Sequence, residues 1–264
     1  MSRLHDALTT GPDDEALDFP LVTVRPRYLA GPGEPDAALD RLNLPGWSWF
    51  DDDAGNCHIF SPCQRLYAGF LPEAGTRARR ELWRIWARAH RTAPLAWSFG
   101  ADDHIPAELV GDLGTALAHD WHHVLADADA EGGEPPAFLT GTGDTDQVWT
   151  VLHDCGWVVI GGGPDGRDAF APDGQARLSH RPHPDGTPGR RAWTATATPG
   201  LDGQPVWTAT FTAQTPAHYI AAFAAALADP DGLIREPHQL DRRLWQGQHL
   251  DLTRTTDTRT GTPA

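Results

Sequence analysis

The sequence predicts an α+β fold of two tandem repeats. Each repeat reads as an antiparallel β-meander sheet, with a short N-terminal helix and a longer C-terminal helix packed on one face. Three observations predict it. The chain matches itself without a gap at an offset of 110 positions. Residues 192–198 alternate strictly between Trp193, Ala195 and Ala197 on one side and Thr194, Thr196 and Thr198 on the other, the period of a strand with one covered face. A proline followed by an apolar helical stripe closes each repeat.

The self-match is specific. Pro26 meets Pro136, Gly31 and Gly33 meet Gly141 and Gly143, and Phe60 and Pro62 meet Phe170 and Pro172. Trp47, Trp83 and Trp97 meet Trp157, Trp193 and Trp207. Tryptophan is scarce, so such pairs in one register mark an internal duplication. Copies of this length are domain-sized, unlike the short units of a solenoid. The expected boundaries are a flexible acidic arm at 1–20, copy one at 21–130, copy two at 131–240 and a polar, disordered tail at 241–264.

In order, residues 21–30 read as a strand entering copy one, 31–35 as a turn and 36–42 as a short helix. Copy two places 144–153 where that helix stands, with a clearer apolar stripe. Strands follow at 46–50, 56–60 and 65–71, broken by Asp-, Gly- and Pro-rich turns. Residues 82–89 and 94–100 add two more. The closing helix of copy one follows Pro106, with Val110, Leu113, Leu117, Trp121 and Val124 as its stripe. In copy two it follows Thr215-Pro216, with Thr215 suited to cap it, and carries Ile220, Phe223 and Leu227. Residues 131–136 (EGGEPP) read as the linker.

Composition limits function. Hydrophobic content of 40% suffices for a core, and no apolar run approaches the ~18 residues of a membrane span. The acidic N-terminus has no apolar segment of the secretory type, so a cytoplasmic location is the default expectation. All 21 basic residues are arginine. A net charge of −15 discourages non-specific nucleic-acid binding. The three cysteines, Cys57, Cys63 and Cys155, are expected to be reduced packing residues.

The paired turns SPCQRLYAGFLPE and APDGQARLSHRP, with the late strand Trp207-Thr208-Ala209-Thr210-Phe211 before Thr215-Pro216-Ala217, carry a family resemblance. On these motifs the chain resembles the SPDY-motif family of Streptomyces and related actinobacteria, a domain of unknown function that commonly occurs in two copies. Copy one departs from the pattern at Cys63, which replaces the turn acid, and copy two at Ala171, which replaces the serine. The resemblance spans about residues 22–230 and implies an actinobacterial source. It implies no established activity, and no catalytic residue carries over.

The sharpest candidate site is a difference between copies. Opposite Trp83, Ile85 and Ala87, the strand carries Arg84, Trp86 and Arg88, where copy two has plain threonines. Alternation adds Arg65 and Tyr67 from the neighbouring strand. An Arg/aromatic face suits a protein partner or self-association, since Trp, Tyr and Arg anchor interfaces. It also suits single-stranded nucleic acid through stacking and phosphate contacts, though net charge disfavours this. Alternatively, the two sheets pack on each other and bury it. The first reading is a non-enzymatic binding or scaffold protein acting through this face or the cleft between copies. The second is a single-strand binder on the same face. Last is a metal-dependent enzyme using His119 and His123, which share a helix face but lack a third ligand. No catalytic residue, cofactor or metal is expected. Asp51–Asp53 and Asp102-Asp103 read as turn residues. The Gly161–Asp168 stretch lacks the following helix that a phosphate loop needs.

Overall fold

Alternating apolar residues decide the main sheet. Ile59, Leu66, Ala68, Trp83, Ile85, Ala87, Trp97 and Phe99 of copy one all turn to one side and are buried, as are Ala169, Leu178, Trp193, Ala195, Trp207, Ala209 and Phe211 of copy two. The computed structural model describes residues 21–73, 81–124, 141–182, 189–200 and 203–254, with the backbone alone at 122–124. The expected N-terminal arm and the linker at 131–136 lie outside these residues.

The protein is α+β. Copy one contributes α1 (Asp36–Leu39, extended by a 3-10 turn at Asp40–Leu42), β2 (Ser48–Asp51), β3 (Cys57–Phe60), β4 (Leu66–Phe70), β5 (Trp83–Arg88), β6 (Leu95–Ala101) and α2 (Ala107–Val124). Copy two repeats the order with α3 (Asp146–Asp154), β7 (Val158–Gly161), β8 (Arg167–Phe170), β9 (Ala176–His180), β10 (Arg191–Ala197), β11 (Trp207–Thr212) and α4 (Ala217–Ala228). Each closing helix starts with its first amide bonded to a loop carbonyl: Ala107 to Pro32 at 2.8 Å and Ala217 to Thr142 at 2.7 Å. This satisfies an orphan donor without the side-chain cap expected of Thr215, which is buried beside Thr212 instead.

The two copies do not form stacked sheets. They join edge to edge into one ten-stranded antiparallel sheet, in the order β2-β3-β4-β5-β6-β11-β10-β9-β8-β7. The joint pairs Ala101 with Ala209, Gly100 with Thr210 and Phe99 with Phe211. Gly100 and Thr210 are equivalent positions of the repeat, so a local two-fold axis runs through that pair. This rules out the alternative in which the two sheets pack on each other. Each sheet already has a helix layer on its apolar face, and the last strand of each copy has a free edge that the other satisfies. A single core results. Phe99 lies 4.8 Å from Phe211 and 5.9 Å from Phe223 of α4, and Trp97 lies 5.5 Å from Tyr219.

Two expectations about the ends are corrected. The first strand, β1 (Val22–Arg25), does not enter the main sheet. It lies between β12 (Leu233–Arg235) and β13 (Asp251–Arg254) in a separate three-stranded sheet. Nor is all of 241–264 a disordered tail: α5 (Arg242–Gln246) and β13 are ordered, because Leu244 and Leu250 are buried among otherwise polar neighbours. Two buried arginines fasten these ends to the body. Arg27 donates to the Ala226 carbonyl and pairs with Asp229. Arg235 forms a bidentate pair with Glu108 of α2 at 2.7 Å on each arm. No helix among the described residues is long and apolar enough to cross a membrane.

Candidate functional site

The face of the sheet turned away from the helices carries the copy-one candidates. The register sets Tyr67 opposite Trp86, Trp86 opposite Ser98, and Arg84 between Gly69 and Gly100. Arg65 lies beside Arg88, whose amide bonds the Arg65 carbonyl at 2.8 Å. The five candidate residues thus share one face, and among the described residues no element of copy two covers it. Arg84 is exposed, Arg65, Trp86 and Arg88 are half-buried, and Tyr67 is buried between its neighbours.

Three further residues complete the row. Phe50, His58 and Phe60 alternate onto this face from β2 and β3, a pattern visible in the sequence but not read as part of the site. Phe50 stacks on His58 at 5.0 Å, and Tyr67 stacks on Trp86 at 5.0 Å and 18°, while Phe60 lies 4.9 Å from Tyr67 but tilted by 53°. That spacing matches the distance between strands, about 4.8 Å. Near-parallel rings on paired strands at that spacing must therefore stand upright, face against face. Arg88 closes one end, its guanidinium carbon 4.5 Å from the Trp86 ring centre. Phe50, 49% exposed on the edge strand, is the other end.

A hydrogen-bonded chain stiffens the row. Asp52 accepts from the Asn56 side chain and amide, and then from His58, and these bonds hold its carboxyl well below the usual range. His58 Nε2 lies 3.2 Å from that carboxylate and Nδ1 lies 3.0 Å from the Tyr67 hydroxyl. The ionised Asp52 keeps the proton on Nε2, so Nδ1 accepts from Tyr67. Burial pushes the Tyr67 hydroxyl up to about 12, so it stays a donor. The hydroxyl rests over Gly69, where a Cβ would fall 2.1 Å from it.

Beyond Arg84 the face dips into a shallow groove that crosses the local two-fold axis. Its two parts, of about 370 and 460 Å³, share Glu81, Gly100, Arg191 and Thr210. Glu81 and Arg191 occupy the same position of the repeat and form an ion pair across the axis. Two further bonds also obey the symmetry: Ser98 N donates to Thr212 Oγ1 at 2.9 Å, and Thr208 N donates to Asp102 Oδ2 at 2.6 Å. Asp102 and Thr212 are equivalent positions, so a carboxylate and a hydroxyl do the same work in the two copies.

Asp102 is the titrating member of the groove. Burial raises its carboxyl to about 6, against the opposing pull of the Thr208 and His104 amides. The folded state then holds a proton that the unfolded chain has released between about pH 4 and 6. Its contribution to stability is full below about pH 4 and is lost as pH rises through 6. Asp102→Asn, which keeps an acceptor for Thr208, is expected to remove that slope and stabilise the protein at pH 7. Urea midpoints of both forms from pH 4 to 7 check this; parallel curves would refute it.

Other candidates lie apart. His119 is exposed on α2 and faces Asp120, which also accepts from His218 and Tyr219. The side chain of His123 lies outside the described residues. Among those described, no three His, Cys, Asp or Glu residues group as a metal site. Cys57 is buried, Cys63 partly so and Cys155 exposed, all unbonded to one another.

Residues 60–121 and 170–233 each match the SPDY domain, a domain of unknown function (DUF317). The chain carries two SPDY domains in tandem. The first SPDY domain holds β4 to β6 and most of α2, with Arg65, Tyr67, Arg84, Trp86, Arg88, Glu81 and Gly100. The second holds the equivalent elements and Arg191. Phe50, Asp52 and His58 lie outside the matched segments. No curated protein and no solved structure matches the chain.

Proposed function

We propose that the protein is a non-enzymatic binding protein that holds a protein partner on the open sheet face of its first SPDY domain, through Arg65, Tyr67, Arg84, Trp86 and Arg88. The upright aromatic row carries this reading. Single-stranded nucleic acid is held by bases laid flat on ring faces. Here the faces of Tyr67 and Trp86 are spent on each other and on Arg88, so what the row offers is a stiff line of ring edges. Such a surface suits packing against side chains, with little ordering left to complete on binding. The charge is complementary to an acidic protein. In a chain of net charge −15, neither Arg65, Arg84 nor Arg88 forms an ion pair with any described carboxylate.

The test is affinity capture from the native host on immobilised wild-type protein and on the Trp86→Ala/Arg84→Glu variant, with bound proteins quantified by mass spectrometry. A partner of this face should be depleted about thirtyfold or more on the variant, the loss of an anchor residue at an interface centre. Equal capture by both would sink the reading. Titration of a labelled single strand at low and high salt tests the alternative. Salt-sensitive binding that needs Trp86 would favour nucleic acid instead.

A further inference from the structure

Gly100 is out of place as a glycine. It lies in β6, near the middle of a ten-stranded sheet, where a glycine has no side chain to pack. Its backbone is not in the left-handed region, so conformational freedom does not explain it. Space does. A Cβ at Gly100 would fall 2.8 Å from the Glu81 carboxyl carbon and 2.9 Å from one of its oxygens. The position is a notch, and a carboxylate fills it. Arg191 holds that carboxylate from across the axis, and Arg84, exposed and without an ion pair to any described residue, is the cross-strand neighbour of Gly100. The equivalent of Gly100 in copy two is Thr210, which has no such notch and instead lines the groove with its side chain.

We propose that this notch is a carboxylate-binding site, that Glu81 is its internal occupant, and that an Asp or Glu side chain of the partner replaces Glu81 on Arg191, with Arg84 alongside. This rests on the proposed partner-binding face, which the groove continues. The exchange trades one carboxylate for another and leaves no charge stranded. It filters partners by demanding an acid at one place. Because Glu81 competes, the intact protein binds a free carboxylate weakly. Removing Glu81 unmasks the site.

The probe is N-acetyl-tetraglutamate amide, titrated into the full-length protein and followed by the amide resonances of Gly100 and Thr210. Glu81→Ala is expected to bind it about tenfold more tightly than wild type, the fraction of time the site is self-occupied being removed. In the Glu81→Ala background, Gly100→Ala and Arg84→Ala should each abolish the gain. The second variant guards against misfolding of the first. No gain in Glu81→Ala, or a gain that survives Arg84→Ala, would overturn the proposal. So would inorganic phosphate moving the same resonances with equal affinity, which would make the notch a general anion site. If these titrations fail while partner capture still depends on Trp86, the notch alone is wrong. If capture is indifferent to Trp86 and Arg84, the reading beneath it is wrong.

Discussion

Replacing Arg235 by methionine will destabilise the protein by about 3–5 kcal/mol, seen as a lower urea midpoint. Arg235 is 4% exposed and sits where β12, the loop after β1 and α2 meet. Besides the bidentate pair with Glu108, it donates to the Ala30 and Gly31 carbonyls at 3.2 Å each. Methionine fills much of the volume but leaves Glu108 and both carbonyls unanswered in a site with little water. The penalty comes from those stranded groups rather than from the attraction lost. Adding Glu108→Leu to Arg235→Met should therefore restore part of the stability, so that the double variant falls short of the sum of the singles. A midpoint that does not move in Arg235→Met would refute the account.

Phe211→Ala is expected to cost a similar amount, about 3–5 kcal/mol, for a different reason. Phe211 is fully buried on β11, 4.8 Å from Phe99 of copy one and 5.3 Å from Phe223 of α4. Those three rings form the packing of the joint, so their loss opens a cavity belonging to both copies. The core runs through it without a break, and both wild type and variant should unfold in one transition. Tryptophan fluorescence and far-ultraviolet circular dichroism would follow the same curve. Two separated transitions would mean that the SPDY domains unfold independently, and the shared-core account would fail.

The sequence made the repeat and its faces legible because the information is local and periodic. Three tryptophan pairs set the register of the copies. Alternation then placed Arg84, Trp86 and Arg88 opposite Trp83, Ile85 and Ala87, and added Tyr67. Alternation says which face a residue takes, but not which strand becomes its neighbour. The edge-to-edge joint of β6 and β11 was therefore invisible, and with it the meeting of Glu81 and Arg191. The row of upright rings was half legible. Phe50, His58 and Phe60 alternate as they should, but whether a ring stands or lies flat depends on side-chain torsions set by its neighbours. The ordered stretch after residue 240 was hidden by composition. Few apolar residues mark it, and its strand exists because β1 is there to pair with it.

The axis through Gly100 and Thr210 has one more consequence. Two separate single-domain chains pairing in this way would present the same residue from each side. Glu81 would face Glu81, or Arg191 would face Arg191, and a notch would meet a notch. A symmetric assembly cannot put an acid and a base at one position of its motif. A single chain holding both halves can, and this one does so at Glu81 and Arg191; it likewise sets unlike residues at the equivalent positions Gly100 and Thr210, and Asp102 and Thr212. Tandem linkage thus gives the centre of the sheet a polarity that no homodimer of either half could have.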